Sequence, residues 1–433
     1  MKTTNRSINA DDIKVVSSSW MDKSGTVFTF DNGVYRHIDS RCYEIFNKLK
    51  SSLLADLERT GLVATEEADI DIEGLEHIIK HKKIDCISYG QEWTLAMLQE
   101  AAVLSCDINL KLLNMGLALK DSHPWNVTFD YSKPVFLDYG SIDYVSKVSP
   151  RAWLREFYKQ FYIPLWIGTK ISRSLAYSAM KEHPTGFGKK AGLTSIIPFL
   201  LMPELRKRNE NAEKFQKTII SLKDRVSRFS LFDIKREWSD YQPAMWKHKV
   251  INDFLSEVNI TSCLDMACNR GEFSIPIAER GIPVIATDVD EYSIDFLREQ
   301  AKEKSLPLTA LLIDYLRPTA PFGVGLFYAN SYERLKSEMT LSFAIAHHLV
   351  FKNGVNFRVL RDVIVQYTGR YALIEFIPLS DKYVAEWIAA EPNKKYDWYS
   401  KTNMIREFSS KFSFMKTWDC PYNNREILLF KKL

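Results

Sequence analysis

Apolar residues along the C-terminal half of the chain switch between a helical spacing and short buried runs. Val250, Ile251, Phe254 and Leu255 recur every three or four positions, so Lys247 to Val258 is expected to be an amphipathic helix. The run Cys263-Leu264-Asp265-Met266 then reads as a buried strand. A turn of small residues follows, with a helix from about Glu272 and a second strand over Ile282 to Asp288. Tyr292 to Lys304 is expected to be a helix, Leu308 to Ile313 a third strand, and Met339 to Ala346 a fourth that ends at His347 and His348. Phe357 to Tyr367 is a further helix, Tyr371 to Ile377 a fifth strand, and Met404 to Phe412 a last helix. Two strands, around Phe414 to Trp418 and Ile427 to Phe430, close the chain as a hairpin. Alternating strands and helices predict a mostly parallel, doubly wound α/β sheet, here with an antiparallel ending.

The N-terminal pattern differs. Thr26 to Ile38 predicts a hairpin, and Pro134 to Gly140 follows a short strand pair after Leu119. From Trp153 to Tyr241 helices are expected. Trp153, Leu154, Phe157, Phe161, Tyr162, Leu165 and Trp166 form a broad apolar stripe, which reads as core. The pattern therefore divides into an α+β region over 1–150, a helical segment over 151–244 and an α/β domain over 245–433.

Composition narrows the class only modestly. At 433 residues, with 46% hydrophobic and 26% charged residues, the chain can bury more than one core. A net charge of +4 is too small at this length to argue for nucleic acid. The basic spots Lys189-Lys190 and Arg206-Lys207-Arg208 read as solvated helix faces. The six cysteines show neither paired spacing nor scaffold density, so reduced thiols and no metal site are expected. Met1 to Ser7 is polar. The most apolar run, Ile196 to Pro203, is too short to span a bilayer and carries two prolines. A cytoplasmic chain without stable membrane insertion is expected.

The chemistry concentrates after the first strand of the C-terminal domain. Asp265, Ala267, Cys268, Asn269 and Gly271 make a small-x-polar-x-Gly turn, and Asp288 ends the next strand beside Val289. A dinucleotide site would place a pyrophosphate at this turn, and a carboxylate at position 265 would repel it. The same carboxylate suits a cationic amino-acid moiety. The segment thus resembles the first motif of class I methyltransferases, which implies S-adenosylmethionine as cofactor. Asp265 and the turn would face its methionine part, Asp288 its ribose hydroxyls, and Asp314 with Tyr315 its adenine. The alternative for Asp288 is a helix cap, with Asp290 on the ribose. His347 and His348 are the candidate bases for the acceptor, because an imidazole titrates near neutrality. The Asn/Asp-Pro-Pro-aromatic sequence used on exocyclic base nitrogens is absent, which argues against a nucleic-acid substrate.

A second constellation lies in the N-terminal region. Asp121, then Asn126, then Asp138 before Tyr139-Gly140 have the spacing of a kinase catalytic loop and its metal-binding turn. Arg36 stands where a kinase has its phosphate-pairing lysine, with Glu44 on the following helix, and no glycine-rich loop precedes them. Structural use of these acidic residues is expected. Magnesium and ATP remain the alternative.

Across its whole length the chain resembles bacterial class I SAM-dependent methyltransferases of the NoeA nodulation-protein type. The likeness runs through Glu92 to Leu98, Leu119 to Asn126, Pro134 to Ser141 and Phe161 to Leu165, then Asp265 to Gly271, Ala346 to Leu349 and Glu375 to Pro378. It implies methyl transfer to a polar small molecule or glycan, with the kinase-like region positioning the acceptor. Ala267 and Asn269 depart from it, standing where many class I enzymes carry glycine. A bifunctional kinase-methyltransferase and a non-catalytic binding module are the rival readings.

Overall fold

In the computed structural model, residues 6–19, 24–182, 211–231, 245–391 and 393–433 are described. The basic spots Lys189-Lys190 and Arg206-Lys207-Arg208 and the run Ile196 to Pro203 lie outside them. The chain divides into two compact units. One is Met1–Asp233 with Gly323–Tyr328, the other Ile234–Phe322 with Ala329–Leu433.

The first unit holds a five-stranded antiparallel sheet. Its strands are β1 (Lys14–Val15), β2 (Gly25–Phe30), β3 (Gly33–Ile38), β4 (Thr65–Glu67) and β5 (Ile78–His81), in the order β1-β2-β3-β5-β4. Asp31 and Asn32 adopt left-handed φ values of 44° and 63°, which lets a two-residue turn join β2 to β3. Asp39 then starts α1 (Ser40–Lys50) by accepting a hydrogen bond from the Cys42 amide at 2.7 Å.

A long helix, α2 (Leu95–Leu113), is buried along most of its length and starts at the Thr94 cap. It leads to β6 (Leu117–Leu119), the hairpin of β7 (Val127–Asp130) and β8 (Lys133–Phe136), and β9 (Ile142–Tyr144), which pairs back with β6. Helices α3 (Pro150–Phe157) and α4 (Ala212–Ser227) follow. The apolar stripe is core: Trp153 stacks on Phe157 at 5.1 Å and meets Phe215 edge-on at 5.7 Å.

The second unit is built on a mixed seven-stranded sheet. After α5 (Met245–Glu257) come β10 (Cys263–Met266), the short helix α6 (Ser274–Ala278), β11 (Val284–Asp288), α7 (Glu291–Glu303) and β12 (Leu308–Leu312). Then follow β13 (Ser337–Ser342), α8 (Ala346–Asn353), α9 (Phe357–Tyr367), β14 (Thr368–Phe376), α10 (Lys382–Ala390), β15 (Phe412–Asp419) and β16 (Glu426–Lys432). The order is β12-β11-β10-β13-β14-β16-β15. The first five strands run parallel, and β16 is antiparallel to both neighbours. Every residue of β10 is buried, as a central strand covered on both faces requires. Val250, Ile251 and Phe254 of α5 join Ile277, Ile294, Leu297, Met339, Leu341 and Leu373 in one core.

This is the α/β architecture with a closing hairpin expected from the pattern. Two expectations need correction. The fourth strand stops at Ser342, so His347 and His348 sit in the first turn of α8 and not at a strand end. The helix after the turn begins at Ser274, because the chain between Asn269 and Gly271 passes through left-handed conformations. Among the described residues no helix is long and apolar enough to cross a membrane.

Candidate functional site

Three parallel strands end side by side at Met266, Asp288 and Leu312, and ligands of such sheets bind beyond their carboxyl ends. The turn after β10 is shaped by three left-handed residues: Ala267 at φ 62°, Asn269 at 48° and Gly271 at 83°. Only glycine adopts this region without cost, and for other residues it costs roughly 1–2 kcal/mol. At Gly271 the need is also steric, since a Cβ would lie 2.3 Å from Leu297 Cδ1. The Cys268 amide donates to the Thr287 carbonyl at 2.9 Å, tying the turn to β11.

Asp288 anchors this arrangement. One carboxylate oxygen accepts from the Asn269 amide at 2.8 Å, and the other from the amides of Val289 and Asp290 at 2.8 and 3.0 Å. Burial raises its pKa, against the lowering effect of these amides. Asp290 is instead the cap of α7, accepting from the Tyr292 and Ser293 amides and from the Ser293 hydroxyl. The two aspartates thus have different tasks, and Val289 between them is exposed.

Asp265 is buried at the end of β10, and the Ser274 hydroxyl donates to it at 2.5 Å. Burial, chiefly, lifts its pKa to about 7. Asp314 accepts from the Leu316 amide at 2.9 Å in a local turn. Tyr315 points inward, its hydroxyl 2.6 Å from the Thr287 hydroxyl and its ring edge-on to Tyr367. Cys268 is also buried, and burial raises its thiol well above the ordinary range.

The histidines of α8 pack under α10. His347 stacks on Trp387 at 5.6 Å, and His348 lies 4.9 Å from the same ring. Burial and neighbouring positive charge lower the two pKa values to about 2 and about 4. Neither is a base poised near neutrality, which removes the property that singled them out.

Sequence reasoning missed Lys247 and Glu375. Lys247 of α5 and Glu375 of β14 are paired at 2.8 Å with side chains 1% and 0% exposed. The Lys247 ammonium also lies over the rings of Phe273 and Phe343, at 5.8 and 5.7 Å. The available signal was a single charge inside the apolar run Tyr371 to Ile377.

In the first unit, Asp121 accepts from Asn126 Nδ2 and from the Ser141 hydroxyl, each at 2.7 Å, with His123 at 3.8 Å. Asp138 is paired with Arg36 of β3 at 3.1 Å. Glu44 of α1 does not meet Arg36 in this way, since its carboxylate accepts from the Tyr144 hydroxyl at 2.5 Å. The acidic residues are therefore engaged by side chains of the protein itself. Among the described residues no three histidines, cysteines or carboxylates converge to hold a metal ion.

A groove of about 630 Å³ lies elsewhere in the second unit, lined by Asn330, Lys336, Ser410, Lys411 and Lys432. Lys336 precedes β13 and Lys432 ends antiparallel β16, so the groove is at the amino edge of the sheet, away from Asp288.

No family model matches the chain. It is 22% identical over 459 residues to Nodulation protein NoeA of Rhizobium meliloti (strain 1021), covering 96% of each chain. Among solved structures, it is similar to magnesium protoporphyrin IX methyltransferase (ChlM) from Synechocystis PCC 6803 with bound SAH. The identity is 14% and the TM-score 0.34, over 50% of this chain and 100% of that one. N-methyltransferase NodS from Bradyrhizobium japonicum WM9 is 13% identical with a TM-score of 0.33, over 45% of this chain and 98% of that one.

Proposed function

We propose that the second unit is an S-adenosylmethionine-dependent methyltransferase acting on a polar metabolite or glycan-type acceptor. The observation that carries this reading is Asp288, a carboxylate held by three amides at the end of β11, beside the left-handed turn of Ala267, Asn269 and Gly271. A pyrophosphate does not suit the site, because buried Asp265 and Asp288 would face it. A sulfonium nucleoside with an ammonium group suits both, through Asp265 toward the ammonium and Asp288 toward the ribose hydroxyls. Exposed Val289 offers apolar surface for the adenine, with Asp314 beyond it. The ligand supplies the transferable methyl group, and the protein contributes alignment of donor and acceptor.

The first unit serves the acceptor on this reading and carries no phosphoryl transfer. The Arg36–Asp138 pair supports that choice, since a guanidinium already compensates the carboxylate that would bind magnesium. Calorimetry tests the proposal. Wild-type protein should bind S-adenosylmethionine, and Asp288→Ala should weaken binding by about 2–4 kcal/mol, the loss of two hydrogen bonds to a charged acceptor. Equal affinity in the variant would remove Asp288 from the site.

A further inference from the structure

We propose that Glu375 is the catalytic carboxylate of the second unit, taking the hydrogen bond and then the proton of an acceptor hydroxyl or amine. This rests on the methyl-transfer reading. Glu375 interrupts a strand whose neighbours Leu373, Ile374, Phe376 and Ile377 are all buried, and it is itself 1% exposed. A buried carboxylate needs compensation for lost hydration. One oxygen has it in full: Oε2 accepts from Lys247 Nζ at 2.8 Å and from the Ala344 amide at 2.7 Å. The other does not. Oε1 has no hydrogen-bond partner, only a long ion pair at 3.8 Å with Arg425, which is itself held by Asp381 at 2.8 Å.

A carboxylate fixed through one oxygen and vacant at the other is oriented for a donor from outside the chain. His347, 6% exposed, has a second unpartnered atom, Nδ1, and is influenced by both Lys247 and Arg425. The register places this group beside the proposed methyl-donor site. Asp265 pairs with Leu341, and Leu341 with Leu373 two residues before Glu375, so Asp265 and Glu375 share one face at the carboxyl edge. Lys247 acts electrostatically on Asp265 as well. Arg425, 18% exposed at its side chain, is the neighbour of Oε1 that also reaches solvent.

The charges of Lys247, Arg425, Glu375 and Asp381 sum to zero, so the vacant oxygen favours a neutral donor over an ion. That points to a sugar or polyol hydroxyl, or an unprotonated amine. In the step, the acceptor's oxygen or nitrogen lone pair forms the bond to the methyl carbon. The carbon–sulfur bond breaks with its electrons going to sulfur, and the acceptor proton passes to Glu375 Oε1. The sulfonium becomes a neutral thioether.

The test uses full-length protein, S-adenosylmethionine, and two probes, glucosamine and myo-inositol, with thioether product measured against time. Wild-type protein should form product faster with at least one probe than without. Glu375→Gln should still bind S-adenosylmethionine by calorimetry yet lose the probe-dependent rate by about 100-fold or more, the usual range for removing a general base. Should Glu375→Gln fail to fold, the double variant Lys247→Met/Glu375→Met, which leaves no unpaired charge, takes its place with the same expectation. A variant that binds S-adenosylmethionine and keeps a rate within a few-fold of wild type overturns the proposal, and the vacant oxygen is then satisfied by buried water only. Wild-type binding of S-adenosylmethionine without turnover of either probe overturns the acceptor class. No binding by the wild type would sink the methyl-transfer reading itself, and this assignment with it.

Discussion

Two sets of polar residues, one in each unit, differ in how their carboxylates are engaged. In the first unit Asp121 accepts from Asn126 and Ser141, and Asp138 pairs with Arg36. At the carboxyl edge of the second unit, Glu375 and His347 each keep a buried polar atom without a partner. Folded proteins rarely leave buried polar atoms unsatisfied, because each costs about 1–3 kcal/mol. The first constellation has the sequence spacing of a catalytic loop, and its carboxylates are engaged by neighbouring side chains, although Ser122 Oγ and His123 Nδ1 beside them have no partner. The second was faint in sequence and is chemically incomplete. What sets Glu375 apart is that its unpartnered atom is a carboxylate oxygen, whereas in the first constellation the carboxylates are the groups that are engaged.

The sharpest way to break this contrast is to remove one cation from each unit. Lys247→Met strands a fully buried carboxylate and should cost about 3–5 kcal/mol in a denaturant titration. Arg36→Met should cost less, about 1–2 kcal/mol, because Asp138 is 27% exposed and can regain water. Equal losses would mean the two pairs are not differently buried.

Titration of Asp265 gives a second test. Its pKa is raised to about 7, so the folded protein without ligand holds a proton there that the unfolded chain releases near pH 4. The contribution to stability is therefore present below about pH 4 and is lost as pH rises to about 7. Binding a cationic ammonium favours the ionised form. Affinity for S-adenosylmethionine should accordingly rise up to about tenfold per pH unit approaching 7 and level off above it. Asp265→Asn should flatten that slope, whereas an unchanged slope would take the ammonium away from Asp265.

For the first unit, magnesium with ATP should give no shift in thermal unfolding. A nucleotide bound at 100 times its dissociation constant would stabilise by about 2.7 kcal/mol, which a melting curve resolves easily. A clear shift, lost in Asp138→Asn, would place a nucleotide at this constellation and promote a bifunctional enzyme. The smallest effect is expected at the turn. Ala267→Gly relieves a left-handed alanine but loosens the unfolded chain, so stability should move by less than about 1 kcal/mol. A loss beyond 2 kcal/mol would contradict the left-handed turn.

The strand-turn-helix frame was legible because its strands are unbroken apolar runs and its turn is made of small residues. The helical start of His347 and His348 was not. Phe343-Ala344-Ile345-Ala346 continues the apolar run, and Ile345 begins α8 without a side-chain cap to mark the boundary. Arg36 was singled out from sequence, but its partner lies 102 residues away, beyond any local pattern. Lys247 looked like the polar side of an amphipathic helix, whereas tertiary packing buries it against Glu375. Charge pairs made between distant elements are the part of such a site that spacing alone does not disclose.

Ultraviolet cross-linking of radiolabelled S-adenosylmethionine to the full-length protein, followed by peptide mapping, addresses the central claim most directly. Label is expected in peptides spanning Cys263 to Asp290, competed away by S-adenosylhomocysteine and reduced in Asp288→Ala. Label confined to the first unit, or none above the competed blank, would contradict it.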